Sequence, residues 1–336
     1  MTGIFGGRPG RTAALLLALL LLAACGGGSD RPKGDGRGPG PASDAPARED
    51  FVPYDVRPLL KPSRKYLGTS IDGVPRSMAP VRSFAARIGK RPNLIEFYSA
   101  WGDRYERDHV RAVWDSGALP LIAWEPFETP IADIAAGRSD AYIRAYAEQV
   151  RALNLPVAIS FGHEMNGHWY PWGSLRTEPA DFVRAWRRIH DLFQQEGATT
   201  VIWVWSPNVI NPMPHVALKP FYPGDAHVDW IGLIGYYTRT GEHTFRTLYG
   251  PTVKQVRRFT RKPFLIQETG SQPGPRKRRD VADLLAGVAA ARSFIGVVWF
   301  NHRKRADWRI ESDPAAQAEF RRRAAHPVFG FDVRRP

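Results

Sequence analysis

Short apolar stretches rich in β-branched and aromatic residues recur along the chain from about residue 65 onward. Each is followed by polar residues, Gly or Pro and then by apolar residues at helical spacing, a pattern that predicts alternating strands and helices. Clear helices with one apolar face are predicted at Asp140–Leu153 and Pro179–Gln195. The predicted strands are 66–72, 93–101, 119–125, 156–165, 200–208, 228–237, 263–270 and 294–301.

This alternation predicts an α/β fold, a single (β/α)8 or TIM barrel over residues 56–336. Eight units in roughly 270 residues fit that barrel, whose usual length is about 250 residues. Segments 263–266 and 295–298 are apolar throughout, as parallel strands buried on both faces are. A doubly wound open sheet is the alternative, but the first predicted strand runs into residues 69–73, TSIDG, instead of a glycine-rich phosphate loop. In a barrel we expect the functional residues at the carboxyl ends of the strands.

The first fifty residues have a different character. Arg8 and Arg11 precede an apolar run over 12–24 that is too short for a membrane span of about 20 residues. The run ends in Leu-Ala-Ala-Cys at 22–25 and resembles a bacterial lipoprotein signal, which predicts a signal peptide over 1–24 and lipidation of Cys25. Residues 25–55, rich in Gly, Pro and charges, are predicted to be a flexible tether. We therefore expect export and lipid anchoring to the outer face of the cell membrane; a plain signal peptide with an incidental cysteine is the alternative.

Composition and charge narrow the function classes. The 336 residues include one cysteine, so no intramolecular disulfide is possible, and the net charge is +14, of which +13 falls after residue 50. Basic clusters at 276–279, 303–305 and 321–323 raise the possibility of nucleic-acid binding. They lack interleaved aromatic residues and follow an export signal, so we expect no nucleic acid and a solvated basic surface. Contact with anionic lipid, wall polymer or acidic polysaccharide is the alternative.

Two glutamates end predicted strands on opposite sides of the barrel mouth. Glu164 ends the fourth strand and Glu268 the seventh. A carboxylate beside an apolar strand is unfavourable unless it is hydrogen-bonded or functional, and two facing carboxylates can hydrolyse a glycosidic bond. Structural ion pairs with arginines are the alternative. His163 and His168 flank Glu164, but a spacing of five at a strand end does not fit the helical zinc motif, so no metal and no cofactor are expected.

The segments around these glutamates resemble glycoside hydrolase family 26. The similarity covers about residues 65–325 and rests on HEMNG at 163–167, WYPW at 169–172, VWSPN at 204–208, YPGD at 222–225 running into VDWIG at 228–232, QETG at 267–270, Trp299-Phe300 and DWR at 307–309. The resemblance implies an endo-acting, retaining β-glycanase in which Glu164 is the acid/base and Glu268 the nucleophile. The substrate-binding residues that it implies are His163, Asn166, Trp169, Tyr236, Trp299 and Trp124.

The same resemblance implies a polysaccharide substrate. β-1,4-Mannan is the first expectation, and mixed-linkage glucan, β-1,3-xylan and exopolysaccharide are the others. Ile234 stands where mannanases of the family usually have an aspartate, which weakens the mannan prediction. The competing class is a surface lipoprotein that binds polysaccharide without cleaving it. Nothing in the sequence indicates an obligate oligomer, so we expect a monomer.

Overall fold

Eight parallel strands form a closed barrel in the order of the sequence, which confirms the predicted (β/α)8 fold. The structure is a computed structural model and describes residues 51–336; the predicted signal peptide, Cys25 and most of the tether lie outside the described residues. Within residues 51–336, no helix combines the length and apolarity needed to cross a membrane. The strands are β1 Tyr66–Ile71, β2 Leu94–Ala100, β3 Leu119–Glu125, β4 Val157–Phe161, β5 Val201–Trp205, β6 Trp230–Ile234, β7 Phe264–Thr269 and β8 Phe294–Asn301.

The helices surround the barrel, and the two helices predicted most clearly have the predicted bounds. The longest helix, α6, begins at a proline and buries Phe182, Trp186 and Ile189 on one face. The sequence therefore predicted both where this helix starts and which face is apolar. The helices are α1 Arg57–Leu60, α2 Ala79–Ile88, α3 Arg107–Asp115, α4 Ile131–Ala135, α5 Asp140–Leu153, α6 Pro179–Gln195, α7 Phe245–Val256, α8 Lys277–Ala290 and α9 Pro314–Ala324. Short 3-10 turns lie at Lys219–Phe221, Asp225–His227 and Ile310–Ser312.

Strands four to six are shorter than predicted because the chain turns at the barrel mouth. Gly162 and Glu164 have φ of +53° and +55°, which ends β4 at Phe161. Beyond the strand ends, isolated main-chain hydrogen bonds still join neighbouring segments, and we call them the rim ladder. The rim ladder comprises Glu164 N to Ser206 O at 2.7 Å, Val209 N to Ile234 O at 2.8 Å and Gly235 N to Glu268 O at 3.1 Å.

Side chains on the strands alternate between two apolar layers. One set fills the barrel interior and includes Leu94, Leu121, Val204, Leu265 and Val298. The other set packs outward against the helices and includes Ile122, Trp124, Phe161, Trp205 and Trp299. This alternation decides which residue at each strand end faces the mouth.

The amino-terminal end of the barrel is closed by α1. Tyr66 and Trp230, inside the barrel, donate hydrogen bonds from their side chains to the carbonyls of Leu59 at 2.9 Å and Leu60 at 3.0 Å. Tyr54, near the predicted end of the tether, donates its backbone N–H to Asn154 Oδ1 at 2.9 Å. These contacts cover the end of the barrel opposite the carboxyl ends of the strands.

Candidate active site

Glu164 lies where the chain leaves β4, in a backbone conformation that aims its carboxyl group at the barrel mouth. Its left-handed φ of +55° is uncommon for a residue with a side chain and costs on the order of 1 kcal/mol. Trp169 Nε1 donates to Oε2 at 2.9 Å, and Asn208 Nδ2 donates to Oε1. Burial raises the pKa of Glu164 to about 7, and the negative charge of Glu268 acts in the same direction. The carboxyl group therefore keeps its proton up to near-neutral pH.

Glu268 is held by two tyrosine hydroxyl groups. Tyr236 donates to Oε2 at 2.5 Å and Tyr98 donates to Oε1 at 2.7 Å. Burial raises the pKa of both tyrosines well above the ordinary value, so both remain donors. The pairing of β7 with its neighbours shifts register near this point, and such a bulge can re-aim a side chain at a barrel rim. Tyr236 was predicted for this place from the family resemblance, whereas Tyr98 was not.

The two glutamates carry no structural ion pair within residues 51–336. Neither has a lysine or arginine nitrogen within 4.0 Å, and their partners are the neutral donors of Trp169, Asn208, Tyr98 and Tyr236. The alternative in which arginines neutralise them is thus not supported. An acid/base residue must carry a proton where the nucleophile reacts as a carboxylate, so the two groups need different surroundings. Here burial favours the protonated form of Glu164, whereas Glu268 accepts hydrogen bonds from two hydroxyl groups.

His163 lies beside Glu164 with a carboxyl group close by. Its Nε2 is 3.3 Å from the Tyr170 hydroxyl oxygen and 3.9 Å from Glu125 Oε1. Burial lowers the pKa of His163, and burial followed by the charge of Glu268 raises the pKa of Glu125 to about 8. Both groups are therefore neutral near pH 7. Ile234 is fully buried, and the carboxyl group beside His163 comes from the end of β3 instead.

A chain of buried polar groups runs through the barrel below the two glutamates. The Ser160 hydroxyl donates to Ser206 Oγ at 2.8 Å, Ser206 donates to Gln267 Oε1, and Gln267 Nε2 donates to Glu96 Oε1 at 2.8 Å. Burial raises the pKa of Glu96 well above its ordinary value. We call these four residues the interior polar chain. Sequence reasoning missed Glu96, although a carboxyl group in the middle of the second predicted strand was a visible signal.

The structure corrects the predicted roles of two tryptophans. Trp124 has no exposed surface, and its ring stacks on Tyr146 with centroids 4.3 Å apart. Trp299 is 1% exposed and its ring contacts Phe320 of α9 at 5.6 Å between centroids. Both belong to the outward layer, so the prediction that they bind substrate is wrong.

Asn166 is buried away from the barrel mouth, whereas Trp169 lies at the mouth. Both polar atoms of the Asn166 amide bond the backbone of Asn208, with Nδ2 donating to the carbonyl at 3.0 Å and Oδ1 accepting from the N–H at 2.8 Å. Asn166 is fully buried and positions Asn208 instead of meeting a ligand, which corrects its predicted substrate-binding role. Trp169 is half-buried and directly bonded to Glu164, so its ring can meet a ligand.

The fold and the site define a class: a (β/α)8 barrel with a buried glutamate pair at the carboxyl ends of strands four and seven. A sequence model described as Glycosyl hydrolase family 26 matches residues 134–261. Endoglucanase H of Acetivibrio thermocellus is 30% identical over 263 residues, covering 74% of this chain and 29% of that protein. Mannan endo-1,4-beta-mannosidase of Bacillus subtilis strain 168 is 25% identical over 193 residues, covering 48% of this chain and 50% of the relative.

Among solved structures, the catalytic domain of the Bacillus sp. JAMB-750 GH26 endo-beta-1,4-mannanase superposes with a TM-score of 0.65 at 16% identity. The alignment covers 81% of this chain and 89% of that domain, and at this identity it shows the fold. The chain covers 29% of the length of the first curated relative and 50% of the second. Over residues 134–261 the chain is similar to glycosyl hydrolase family 26, and the relatives above extend that similarity over most of the barrel.

Proposed function

We propose that this protein is a retaining, endo-acting β-glycanase that uses Glu164 as acid/base and Glu268 as nucleophile. The observation that carries the proposal is the difference between the two carboxyl groups. Burial keeps Glu164 protonated up to about pH 7, while two tyrosine hydroxyls donate to Glu268. Hydroxyl groups that donate to Glu268 also hold its carboxyl oxygens in a fixed position, as attack on an anomeric carbon requires.

In the first step the Glu268 carboxylate attacks the anomeric carbon while the bond to the leaving oxygen breaks. The proton of Glu164 passes to that oxygen, and the sugar is left as an ester of Glu268. In the second step the Glu164 carboxylate takes a proton from water, whose oxygen attacks the anomeric carbon and releases Glu268. Trp169 supports both steps because its indole donates to Glu164 and its partly exposed ring offers an apolar face to a sugar.

β-1,4-Mannan is the first substrate to test, followed by mixed-linkage glucan and β-1,3-xylan. The mannan proposal rests on the family's usual activity and is weakened by the buried Ile234. The glycanase proposal itself does not depend on which of these backbones is cut.

The direct test is hydrolysis of a panel of these glycans by the full chain and by Glu268→Ala and Glu164→Ala variants. We expect each variant to lose at least about 100-fold in kcat, and a Glu128→Ala control, an exposed carboxylate after β3, to keep wild-type activity. Nuclear magnetic resonance of the first products should show the β-anomer. Wild-type activity in Glu268→Ala or an initial α-anomer would contradict the mechanism. Unchanged glycan binding with no cleavage by wild type would favour a non-catalytic binding protein.

We also propose that the chain is exported and lipid-anchored through Cys25. The support is the sequence alone, a basic start, an apolar run and Leu-Ala-Ala-Cys at 22–25. Expression of the wild type and of Cys25→Ser in a bacterium that processes lipoproteins tests this proposal. The wild type should fractionate with membranes and the variant should not; a variant that still partitions wholly with membranes contradicts it.

A further inference from the structure

A tight turn after β8 carries three consecutive basic residues at the barrel mouth. Arg303 and Asp307 pair as an antiparallel bridge, and Lys304 N donates to Ala306 O at 3.1 Å. Lys304 and Arg305 therefore lie at the tip of the turn, and both are exposed. We call residues 303–307 the β8 turn.

Lys304 is adjacent to the nucleophile's own partner. Its Nζ lies 5.3 Å from the ring centroid of Tyr98 and 5.4 Å from that of Phe300. Tyr98 is the residue whose hydroxyl donates to Glu268. Burial is the main influence on the pKa of Glu125 and of His163, but the Lys304 charge is close enough to act on both. A sugar bound over Glu268 therefore lies within reach of this ammonium group.

The protein does not neutralise the cations at the tip of the β8 turn. Asp307, the acidic residue within the turn, forms a bidentate salt bridge with Arg309, whose Nε donates to Oδ1 at 2.8 Å and whose Nη2 donates to Oδ2 at 2.7 Å. Across residues 51–336, no carboxylate oxygen lies within 4.0 Å of a side-chain nitrogen of Arg303, Lys304 or Arg305.

The base of the β8 turn is fixed by a buried lysine. Lys277 is fully buried and donates from Nζ to the carbonyls of Asp307 at 3.3 Å and Arg309 at 2.7 Å and to Ser312 Oγ at 2.9 Å. Lys277 belongs to the basic cluster at 276–279 that was predicted to be solvated, so that cluster is partly structural. The turn is thus held in place before any ligand arrives.

Uncharged sugars offer hydroxyl groups and apolar ring faces, which the aromatic and amide side chains of the mouth already match. Two exposed cations without an ion-pair partner, Lys304 next to Tyr98 and Arg305 after it in the turn, match an anion instead, and they raise the local concentration of an anionic polymer. We propose that the substrate is a β-linked polysaccharide with carboxylate or sulfate substituents, one of which binds Lys304 and Arg305. This inference rests on the proposed glycanase function.

The test uses one backbone in three forms: neutral β-1,4-glucomannan, the same polymer partly oxidised to carboxylates at C6, and the same polymer partly sulfated to equal charge. KM and kcat are measured with the full chain, and binding is measured separately with Glu268→Ala. We expect a KM about five- to twentyfold lower for an anionic form, since each exposed ion pair is weak. The preference should vanish near 1 M salt, where the screening length is about 3 Å.

The double variant Lys304→Gln/Arg305→Gln should lose the preference for anionic polymer, so that its KM for the anionic forms rises to its KM for the neutral polymer. The matched control is Arg91→Gln/Arg258→Gln, which removes two exposed charges from the opposite end of the barrel and should keep the preference. Preference for only one anionic form supports the proposal and identifies the substituent as carboxylate or sulfate.

Equal KM values for neutral and anionic polymers, or equal losses on all three in the double variant, would overturn the proposal. The second result would mean that Lys304 tunes the catalytic groups instead of binding substrate. If no polymer is cleaved but Glu268→Ala binds the anionic forms more tightly through Lys304 and Arg305, the glycanase function fails and with it the substrate role, while anion binding by these two cations is supported.

Discussion

The indole of Trp169 lowers the pKa of Glu164 against the larger opposing effect of burial, and its removal should move the alkaline limit of activity. Trp169 Nε1 donates to Glu164 Oε2 at 2.9 Å and so stabilises the ionised carboxylate. A buried hydrogen bond to a charged group stabilises that group by about 1.5–3 kcal/mol. Because the Trp169 ring is partly exposed, we take about half of that value for its bond to Glu164. One pKa unit corresponds to about 1.4 kcal/mol. Trp169→Phe should therefore raise the pKa of Glu164 by about one unit.

The assay is the pH profile of kcat/KM, which reports the ionisation of groups in the free enzyme. Glu164 must be protonated to act as the acid, so wild-type kcat/KM should fall as pH rises through about 7. In Trp169→Phe the fall should come about one unit higher, whatever happens to KM through lost sugar contact. Trp172→Phe is the matched control because Trp172 Nε1 donates to a backbone carbonyl, that of His163, at 2.6 Å. An alkaline limb that stays in place in Trp169→Phe, or moves to lower pH, would refute the reasoning.

Four further substitutions test other parts of the molecule. Tyr98→Phe and Tyr236→Phe each remove a hydroxyl donor from the nucleophile, so kcat should fall at least about tenfold, and unchanged steady-state kinetics in either would contradict this. Burial raises the pKa of Glu125 from 4.5 to about 8, so the folded state loses stability as pH rises through that interval, and Glu125→Gln should remove this pH-dependent loss in denaturant titrations. Gly232→Ala places a methyl group against the interior polar chain and should lower the free energy of unfolding by about 1–3 kcal/mol, whereas Gly250→Ala in α7 should not.

The order and number of strands were predictable because each strand of a closed barrel is buried on both faces and reads as an apolar run. Phe264–Thr269 and Phe294–Asn301 are examples in which burial is complete along the whole strand. The placement of Glu164 and Glu268 followed from the same pattern, since a carboxyl group at the end of such a run is conspicuous. The rim of β4 was less predictable, because left-handed backbone at Gly162 and Glu164 ends strand pairing at Phe161, four residues before the end of the predicted strand.

Which side chain at a strand end faces the barrel mouth depends on the register of the strand, which the sequence pattern does not define. At the end of β8, Trp299 and Phe300 are both large and apolar, so the sequence does not indicate which of them faces the mouth. At the end of β3 a signal existed: a carboxyl group at 125 faces the mouth, which turns Trp124 outward. Tyr98 is 170 residues from Glu268 in the chain and reaches it only through barrel closure. Side chains that meet across the barrel are therefore the part of the site that the sequence leaves undetermined.

The rim ladder has a practical consequence for redesign. Its main-chain hydrogen bonds connect the segment of Glu164 through those of Ser206 and Ile234 to Glu268, so the spacing of the two reactive groups depends on backbone geometry. The β8 turn contributes nothing to this connection. A protein engineer can therefore exchange residues 303–307 for turns of opposite or zero charge while the carboxyl groups of Glu164 and Glu268 keep their separation.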